Sequence, residues 1–225
     1  MKRIATIAAL VFDLDGTLVD SLPDLHAALN EMLREIGKPP LSQGAVRGMI
    51  GDGTPRLVER GLAAAGAPPD ADGSRLRRFL AIYEAASVAR TRAYPGVPEV
   101  LRELAQSGRK LAICTNKPQR ATLAVLRGLG LDGFFAAVVG GDALSVRKPD
   151  PGHLLGTLAM LGVSADVAVM VGDGENDAAV AKAAGVPVIL MRYGYARVPP
   201  EQLGADAVLD DFRELPAAVE RIARP

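Results

Sequence analysis

The residues best suited to chemistry lie near the N-terminus, where an apolar run leads into Asp13-Leu14-Asp15-Gly16-Thr17. The run is rich in β-branched residues and predicts a buried strand that ends in two carboxylates. Side chains at positions i and i+2 of an extended segment project to the same side, so Asp13 and Asp15 can serve one site. Two carboxylates this close raise each other's pKa, which indicates a positive partner such as a divalent metal ion. Taken alone, the segment is more typical of an Asp-Gly turn after a core strand.

Three more polar clusters occur further along the chain. Thr115-Asn116-Lys117-Pro118 follows one predicted strand, Lys148-Pro149 lies in a loop before a helix, and Gly172–Asp177 follows another strand. Each has a structural interpretation on its own, respectively a helix cap, a solvated surface charge and a polar turn. Ligands of open α/β folds bind at the carboxyl ends of the strands, so we expect all the clusters to face one site.

An α/β fold is predicted from Tyr94 onward, where β-rich apolar runs alternate with helical patterns, as in a parallel sheet flanked by helices. The predicted strands are Ile4–Phe12, Lys110–Cys114, Ala136–Val139, Val167–Val171, Val186–Leu190 and Ala207–Leu209. The predicted helices are Val97–Ser107, Gln119–Leu129, His153–Leu161, Asp177–Ala184 and Leu215–Ala223.

The segment between the first strand and Tyr94 has a helical pattern throughout. Ser21-Leu22-Pro23-Asp24 resembles a capping box with Ser21 as the N-cap, and apolar residues then recur at helical spacing as far as Gly37. Further helices are predicted at Pro55–Ala65 and Arg75–Ala89. We therefore expect two domains, an α/β core of residues 1–19 and 94–225 and a small helical domain of residues 20–93.

Composition limits the partners of the protein. The 225 residues include 26 basic and 26 acidic side chains, so net charge provides no electrostatic case for a nucleic acid or an anionic membrane. No run is apolar for long enough to span a bilayer, and no cleavage site follows the short N-terminal run. The single cysteine, Cys114, is expected to be a buried packing thiol in a cytoplasmic protein. Monomer and homodimer both stay open.

The four motifs, in this order and spacing, resemble those of the haloacid dehalogenase superfamily of hydrolases over essentially the whole chain. They are Asp13-Leu14-Asp15-Gly16-Thr17, Thr115-Asn116, Lys148-Pro149, and Gly172-Asp173 together with Asp177. The resemblance implies a Rossmann-like parallel sheet with residues 20–93 inserted after the first strand as a helical cap domain. We expect the cap to close over the site about hinges near Val19–Ser21 and Tyr94–Gly96.

The resemblance also implies a reaction, the hydrolysis of a phosphate monoester through an aspartyl-phosphate. In it Asp13 is the nucleophile and Asp15 is the general acid that later activates water. Mg²⁺ is assigned to the Asp13 carboxylate, the Asp15 backbone carbonyl and Asp173, with Asp177 positioning the metal shell.

Phosphate binding is implied for the side chains of Thr115 and Asn116, while Lys148 neutralises charge in the transition state. Substrate specificity in this fold depends on the cap. Three local segments, Thr115–Pro118, Phe134–Asp142 and Tyr193–Tyr195, resemble those of bacterial phosphoglycolate phosphatases. The resemblance makes 2-phosphoglycolate the first expected substrate. The candidate residues of the cap are Gly51, Asp52, Gly53 and Arg56, although Asp52 stands where a neutral amide is expected and Arg56 is equally consistent with a solvated helix start.

Other functions stay open at this point. A sugar-phosphate phosphatase or a β-phosphoglucomutase-like isomerase shares both acids and the cap, but the cap has no obvious basic cluster for a second phosphate group. A non-enzymatic phosphoacceptor or metabolite-binding protein also places acids and a lysine at strand ends. The acid pairs Asp13/Asp15 and Asp173/Asp177 and the helical insertion disfavour that alternative.

Overall fold

The computed structural model describes residues 7–223 and contains eight strands in that range. In chain order they are β1 (Ala9–Phe12), β2 (Val19–Asp20), β3 (Arg92–Ala93), β4 (Lys110–Cys114), β5 (Ala137–Val139), β6 (Ala168–Gly172), β7 (Val188–Met191) and β8 (Ala207–Leu209). The helices are α1 (Leu22–Glu35), α2 (Gln43–Arg47), α3 (Thr54–Ala64), α4 (Ser74–Ala86), α5 (Val97–Gln106), α6 (Gln119–Gly128), α7 (Pro151–Leu161), α8 (Glu175–Ala184) and α9 (Leu215–Ala223).

Six of the strands form one parallel sheet in the order β5-β4-β1-β6-β7-β8, which confirms the predicted α/β fold class. The central strand β1 pairs with β4 on one side and with β6 on the other, with Leu10 opposite both Leu111 and Val169. All four of its residues are buried, because helices cover both faces of the sheet. The predicted start of this strand, at residues 4–6, lies outside the described residues.

The two faces of β1 contribute to different apolar cores. Leu10 and Phe12 pack into the cluster that includes residues of α5, α6 and α9. Ala9 and Val11 belong to the cluster on the opposite face, which includes residues of α7 and α8. This division follows from the alternation of side chains along a strand, and it holds β1 rigidly at the centre of the sheet.

A helical insertion, residues 21–91, lies between β2 and β3. Its four helices α1 to α4 share an apolar cluster of their own, which two residues from outside the insertion, Ala121 and Tyr195, also join. The chain enters and leaves through a short antiparallel ribbon in which Val19 pairs with Ala93. The sequence pattern did not predict this ribbon or the five-residue helix α2, because both are too short to show periodicity.

The predicted capping box at Ser21 is wrong. The Ser21 side chain makes no capping hydrogen bond, and its backbone is near the helical region (φ −98°, ψ −5°) instead of extended. The Asp24 carboxylate binds elsewhere, accepting from the backbone N–H groups of Arg90 and Thr91 and from the Thr91 hydroxyl. Asp24 therefore ties the first helix of the insertion to the segment that leaves it.

Strand β1 begins at Ala9, so Ile7 and Ala8 are not part of it as predicted, and the ends of the other predicted elements agree with the structure to within three residues. The differences occur at helix ends and strand ends, where one hydrogen bond decides the boundary. In the range 7–223, no helix combines the length and the hydrophobicity needed to cross a membrane.

Candidate active site

The central three strands deliver the polar motifs to one edge of the sheet. Asp13 follows β1, Thr115 follows β4 and Asp173 follows β6, and these strands are parallel neighbours. Their carboxyl ends therefore lie side by side, as the order of the motifs predicted. Lys148 reaches the same place from the loop before α7, where it lies 3.1 Å from Asp13.

Three buried carboxylates converge at this edge. One oxygen from each of Asp13, Asp173 and Asp177 lies within 4.8 Å of the other two. Burial raises the pKa of Asp173 well above its usual range, and the charges of Asp177 and Asp13 raise it further. Asp13 Oδ1 accepts no well-directed hydrogen bond from the residues of the range 7–223. A set of hard oxygen donors with this unbalanced charge fits a divalent cation.

Lys148 partly compensates this negative charge. Its Nζ lies 3.1 Å from Asp13 Oδ1 and 2.6 Å from Asp177 Oδ1, and its side chain is buried. Burial alone lowers the pKa of a lysine, but the two carboxylates outweigh it and raise the pKa of Lys148 above its usual value. The ammonium group is therefore charged and sits beside the proposed nucleophile.

Asp173 is held from several directions. The Thr17 hydroxyl donates to its Oδ1 at 2.9 Å, and the Tyr195 backbone N–H donates to its Oδ2 at 2.6 Å. Gly16 adopts φ +87°, and a Cβ at this residue would lie 2.5 Å from Asp173 Oδ2. The glycine of the first motif thus makes room for the aspartate of the fourth.

Asp177 lies in the first turn of α8 and accepts hydrogen bonds from the backbone N–H groups of Asp173 and Gly174, both at 3.1 Å. A carboxylate at this position is favoured, because the first N–H groups of a helix have no partner within it. Its second oxygen is the one that binds Lys148. Asp177 therefore orients both the Asp173 backbone and the ammonium group.

Asp15 lines the same cavity as Asp13 but its carboxylate has different partners. Both Asp15 oxygens accept hydrogen bonds from Lys117 Nζ at 3.0 Å, and the same ammonium donates to the Tyr83 hydroxyl at 2.7 Å. The Asp15 carboxylate is not a member of the three-carboxylate cluster. The two acids, close together in sequence, thus enter two different charge networks.

Lys117 and Tyr83 were not among the predicted site residues. Lys117 follows the predicted phosphate ligands Thr115 and Asn116 directly, and that position was the one available signal. Tyr83 belongs to the apolar stripe of α4, where an aromatic residue is typical of a helix core. The sequence therefore offers no sign that its hydroxyl faces the cavity.

The predicted phosphate ligands lie at the cavity wall. Asn116 Nδ2 donates to the carbonyl oxygens of Gly51 and Lys148, both at 3.0 Å, while its buried Oδ1 has no partner among residues 7–223. The Thr115 hydroxyl oxygen accepts from the Lys117 backbone N–H at 3.3 Å. Asn116 thus links the insertion to the loop that carries Lys148, and its predicted contact with phosphate stays a prediction.

Asp52 lies outside the cavity and joins the insertion to the core. Its carboxylate accepts hydrogen bonds from Asn176 at 2.6 Å and from Arg197 at 2.7 Å, and it pairs with Arg60 at 2.5 Å. Burial raises the pKa of Asp52, but the hydrogen bonds from these three side chains outweigh burial and hold the pKa below its usual range. Asp52, at the position where an amide was expected, therefore links the insertion to the core.

The other candidates of the insertion divide in a similar way. Gly51 and Gly53 line the cavity beside Ile50. Arg56 is more than half exposed and pairs with Glu59 at 2.5 Å on the surface of α3. The structure thus brings the two glycines to the site, whereas Arg56 takes the solvated position that the sequence left open.

His153 supports the Lys148 loop from behind. Its Nδ1 accepts from the Lys148 backbone N–H at 3.3 Å and its Nε2 donates to the Gly140 carbonyl at 3.2 Å, which defines the tautomer. Burial lowers the pKa of His153, and the charge of Lys148 lowers it further. The Cys114 thiol lies 3.5 Å from His153 Nδ1. Burial raises the pKa of the Cys114 thiol to about 11, which agrees with the predicted packing role.

Comparison with known proteins identifies relatives over most of the chain. A family model described as haloacid dehalogenase-like hydrolase matches residues 7–185. The phosphoglycolate phosphatase of Rhodospirillum rubrum is 51% identical over 213 residues, which cover 92% of this chain and 88% of that protein. The phosphoglycolate phosphatase of Caulobacter vibrioides is 45% identical, covering 94% of this chain and 90% of that protein.

Solved structures with the same fold cover both the sheet and the insertion. A predicted phosphoglycolate phosphatase from Haemophilus somnus matches with a TM-score of 0.90 and 32% identity, over 94% of this chain and 97% of that one. CbbY from Rhodobacter sphaeroides, in complex with phosphate, matches with a TM-score of 0.84 and 25% identity, over 96% and 100% of the two chains. The chain belongs to the haloacid dehalogenase-like hydrolases.

Proposed function

We propose that the protein is a phosphatase that hydrolyses 2-phosphoglycolate through a phosphorylated Asp13. The observation that carries this proposal is the position of the Asp13 carboxylate, which borders the cavity beside the Lys148 ammonium at 3.1 Å. Relatives that are 45% and 51% identical are named phosphoglycolate phosphatases, which supports the choice of substrate. A rigid central strand and a charged lysine are what a positioned nucleophile for phosphoryl transfer needs.

Mg²⁺ is the cation we propose for the cluster. The carboxylates of Asp13 and Asp173 and the Asp15 backbone carbonyl would hold it, with Asp177 positioning the others. Mg²⁺ prefers oxygen ligands and keeps several waters, which suits this donor set. When bound, such a cation supplies the positive charge that lets an anionic phosphate approach an anionic carboxylate.

The chain's own residues account for both halves of the reaction. In the first, an Asp13 oxygen attacks phosphorus, the ester bond to the leaving oxygen breaks, and Asp15 gives that oxygen a proton. In the second, Asp15 takes a proton from water, the water oxygen attacks phosphorus, and the bond from Asp13 to phosphorus breaks. Lys148 and Thr115 stabilise the charge on the phosphoryl oxygens in each half.

The insertion acts in this proposal as a cap that closes over the site. Two connections to the core support this role. Asp52 binds Asn176 and Arg197, and Arg47 donates to the carbonyl oxygens of Tyr193 and Gly194. The two-stranded ribbon at the base of the insertion is short enough to act as the hinge, and a closed cap excludes bulk water from the aspartyl-phosphate.

A second candidate function is the hydrolysis of a sugar phosphate. A mutant of Rhodobacter sphaeroides CbbY was solved in complex with xylulose-(1,5)bisphosphate, and it matches this chain with 25% identity and a TM-score of 0.81. Three apolar side chains of the insertion, Leu25, Ile50 and Leu57, line the cavity here. They offer no partner to the hydroxyl groups of a sugar, so we rank this function second.

The test is a kinetic panel with the purified protein and Mg²⁺. We expect 2-phosphoglycolate to give a higher kcat/KM than xylulose-1,5-bisphosphate, glucose 1-phosphate or p-nitrophenyl phosphate. Asp13→Asn should lower kcat for every substrate by about 10³-fold or more, as loss of a nucleophile does. Absence of all turnover in the wild type would refute the phosphatase, while a sugar phosphate at the top of the panel would refute the substrate.

A further inference from the structure

The cavity above Asp13 and Asp15 has one charged wall and one apolar wall. Lys117 is the single cation among the described residues that line it, and its side chain is only 3% exposed. The apolar wall comes from the insertion. Asp13 and Asp15 also line this cavity, so Lys117 is a positive group beside two carboxylates. Among the described lining residues, Lys117 is therefore the one that offers a positive charge to an anionic group of a ligand, and it lies outside the three-carboxylate cluster.

The Lys117 ammonium is anchored on two sides. It binds both Asp15 oxygens at 3.0 Å and donates to the Tyr83 hydroxyl at 2.7 Å. Burial alone lowers the pKa of Lys117, but Asp15 and Tyr83 outweigh burial and raise it above its usual value. The charge is thus permanent, and its position depends on one residue of the core and one of the insertion.

The Tyr83 hydroxyl has an unused hydrogen-bond donor. Its oxygen accepts from Lys117, and no residue in the range 7–223 accepts a hydrogen bond from its O–H. Tyr83 is 2% exposed, its ring stacks on Phe79, and burial raises its pKa to about 12, so the group stays protonated. Because a buried donor without an acceptor is unfavourable, this hydroxyl is suited to a ligand that brings one.

We propose that Tyr83 and Lys117 together bind a carboxylate on the leaving group of the substrate. The inference rests on the proposed phosphatase function and names the feature of the substrate that the enzyme selects. An acceptor bonded to the Tyr83 hydroxyl lies within about 5.5 Å of Lys117 Nζ, because two successive hydrogen bonds of about 2.7 Å each separate them. One carboxylate oxygen can therefore satisfy the phenol while the ammonium compensates its charge.

The position of Asp15 places the proposed carboxylate site close to the leaving oxygen. Lys117 is hydrogen-bonded to Asp15, the proposed donor of a proton to the leaving oxygen. The proposal places the carboxylate one or two carbon atoms from the leaving oxygen, so that one small ligand meets Asp15, Lys117 and Tyr83. The substrate class is a phosphate ester of a short 2- or 3-hydroxy carboxylic acid. Esters of neutral alcohols would offer the Tyr83 donor no charged acceptor.

The experiment compares two substrates that differ only at this group, 2-phosphoglycolate and 2-hydroxyethyl phosphate. We expect Tyr83→Phe, which removes the hydroxyl and keeps the ring, to lower kcat/KM for 2-phosphoglycolate about tenfold or more, mainly through KM. The same variant should change kcat/KM for 2-hydroxyethyl phosphate less than about threefold, since that substrate lacks the charged acceptor. Lys117→Met should likewise lower the ratio of the two kcat/KM values, and the surface variant Lys182→Met should leave it unchanged.

Inhibitor binding provides a readout that does not depend on turnover of these substrates. With p-nitrophenyl phosphate as the reporter, 3-phosphonopropanoate should inhibit the wild type more strongly than 3-hydroxypropylphosphonate, and Tyr83→Phe should abolish the difference. An equal effect of Tyr83→Phe on both substrates, or on neither, would overturn the carboxylate site while the phosphatase proposal stands. A wild type without activity on p-nitrophenyl phosphate or on the panel would instead remove the proposed function.

Discussion

Arg197 of the core donates a hydrogen bond to Asp52 of the insertion at 2.7 Å, across 145 residues of sequence. The same carboxylate binds Asn176 at 2.6 Å and Arg60 at 2.5 Å. Isolated ion pairs at a surface contribute little to stability, but a shared carboxylate with three partners forms a network whose parts lie on both sides of the site. We interpret Asp52 as the residue that holds the insertion against the core.

Asp52→Asn should therefore affect closure more than folding. We expect KM for the substrate to rise about three- to tenfold, with a change in unfolding free energy of about 1 kcal/mol or less, as for partly exposed ion pairs. Hydrogen exchange should become faster in residues 51–53. Glu59→Gln is the matched control, since Glu59 pairs with Arg56 within the insertion alone. Equal kinetic effects of the two variants would contradict the interpretation.

Removal of one charge from the three-carboxylate cluster should raise the stability of the metal-free protein and weaken metal binding. Burial and the neighbouring charges raise the pKa of Asp173, so its ionised form is disfavoured in the metal-free protein. Asp173→Asn should stabilise the protein in EDTA at pH 7, because it removes a buried charge that its neighbours disfavour. Urea unfolding with and without Mg²⁺ measures this. Mg²⁺ should raise the unfolding free energy of the wild type and leave that of the variant unchanged. A variant that is less stable than the wild type in EDTA would contradict the proposed repulsion among the three carboxylates.

The close approach of Gly16 to Asp173 predicts that a side chain at position 16 would disturb the carboxylate cluster. Gly16→Ala places a Cβ 2.5 Å from Asp173 Oδ2 and forces alanine into φ +87°, so we expect loss of activity together with loss of stability. Gly108→Ala is the control, because Gly108 has φ +83° and a Cβ added there would meet no atom within 4 Å. The control should cost about 1 kcal/mol from the backbone alone and retain activity. An active Gly16→Ala enzyme would contradict the inference that Gly16 must leave room for the Asp173 carboxylate.

His153 predicts how stability depends on pH. Its pKa in the folded protein is lowered by burial and by Lys148, so the unfolded chain binds more protons than the folded one below about pH 6.5. Its contribution to stability is complete above that pH and is lost as the pH falls towards the folded pKa. Urea unfolding between pH 5 and 8 should show a steeper decline for the wild type than for His153→Gln. Parallel curves would contradict the assigned protonation state.

Several parts of the site could be predicted from the sequence because local constraints determine them. A strand buried on both faces requires the continuous apolar run that ends at Phe12, and the acids that follow it must lie at the carboxyl edge of the sheet. The same argument located Thr115 and Asp173, because their strands β4 and β6 also show apolar runs. The predicted capping box at Ser21 was wrong because its outcome is not local. Asp24 binds the backbone of Thr91, which only the folded chain brings close to it.

The sequence by itself determined the order of the motifs, the α/β class and the side chains available for chemistry, since each follows from residue type and periodicity. Only the tertiary structure decided which charges meet. Asp15 and Lys117 are 102 residues apart, and Tyr83 joins them from a helix whose pattern indicates only packing. Such partners depend on how the insertion packs against the core, a property of the folded chain that no local pattern encodes.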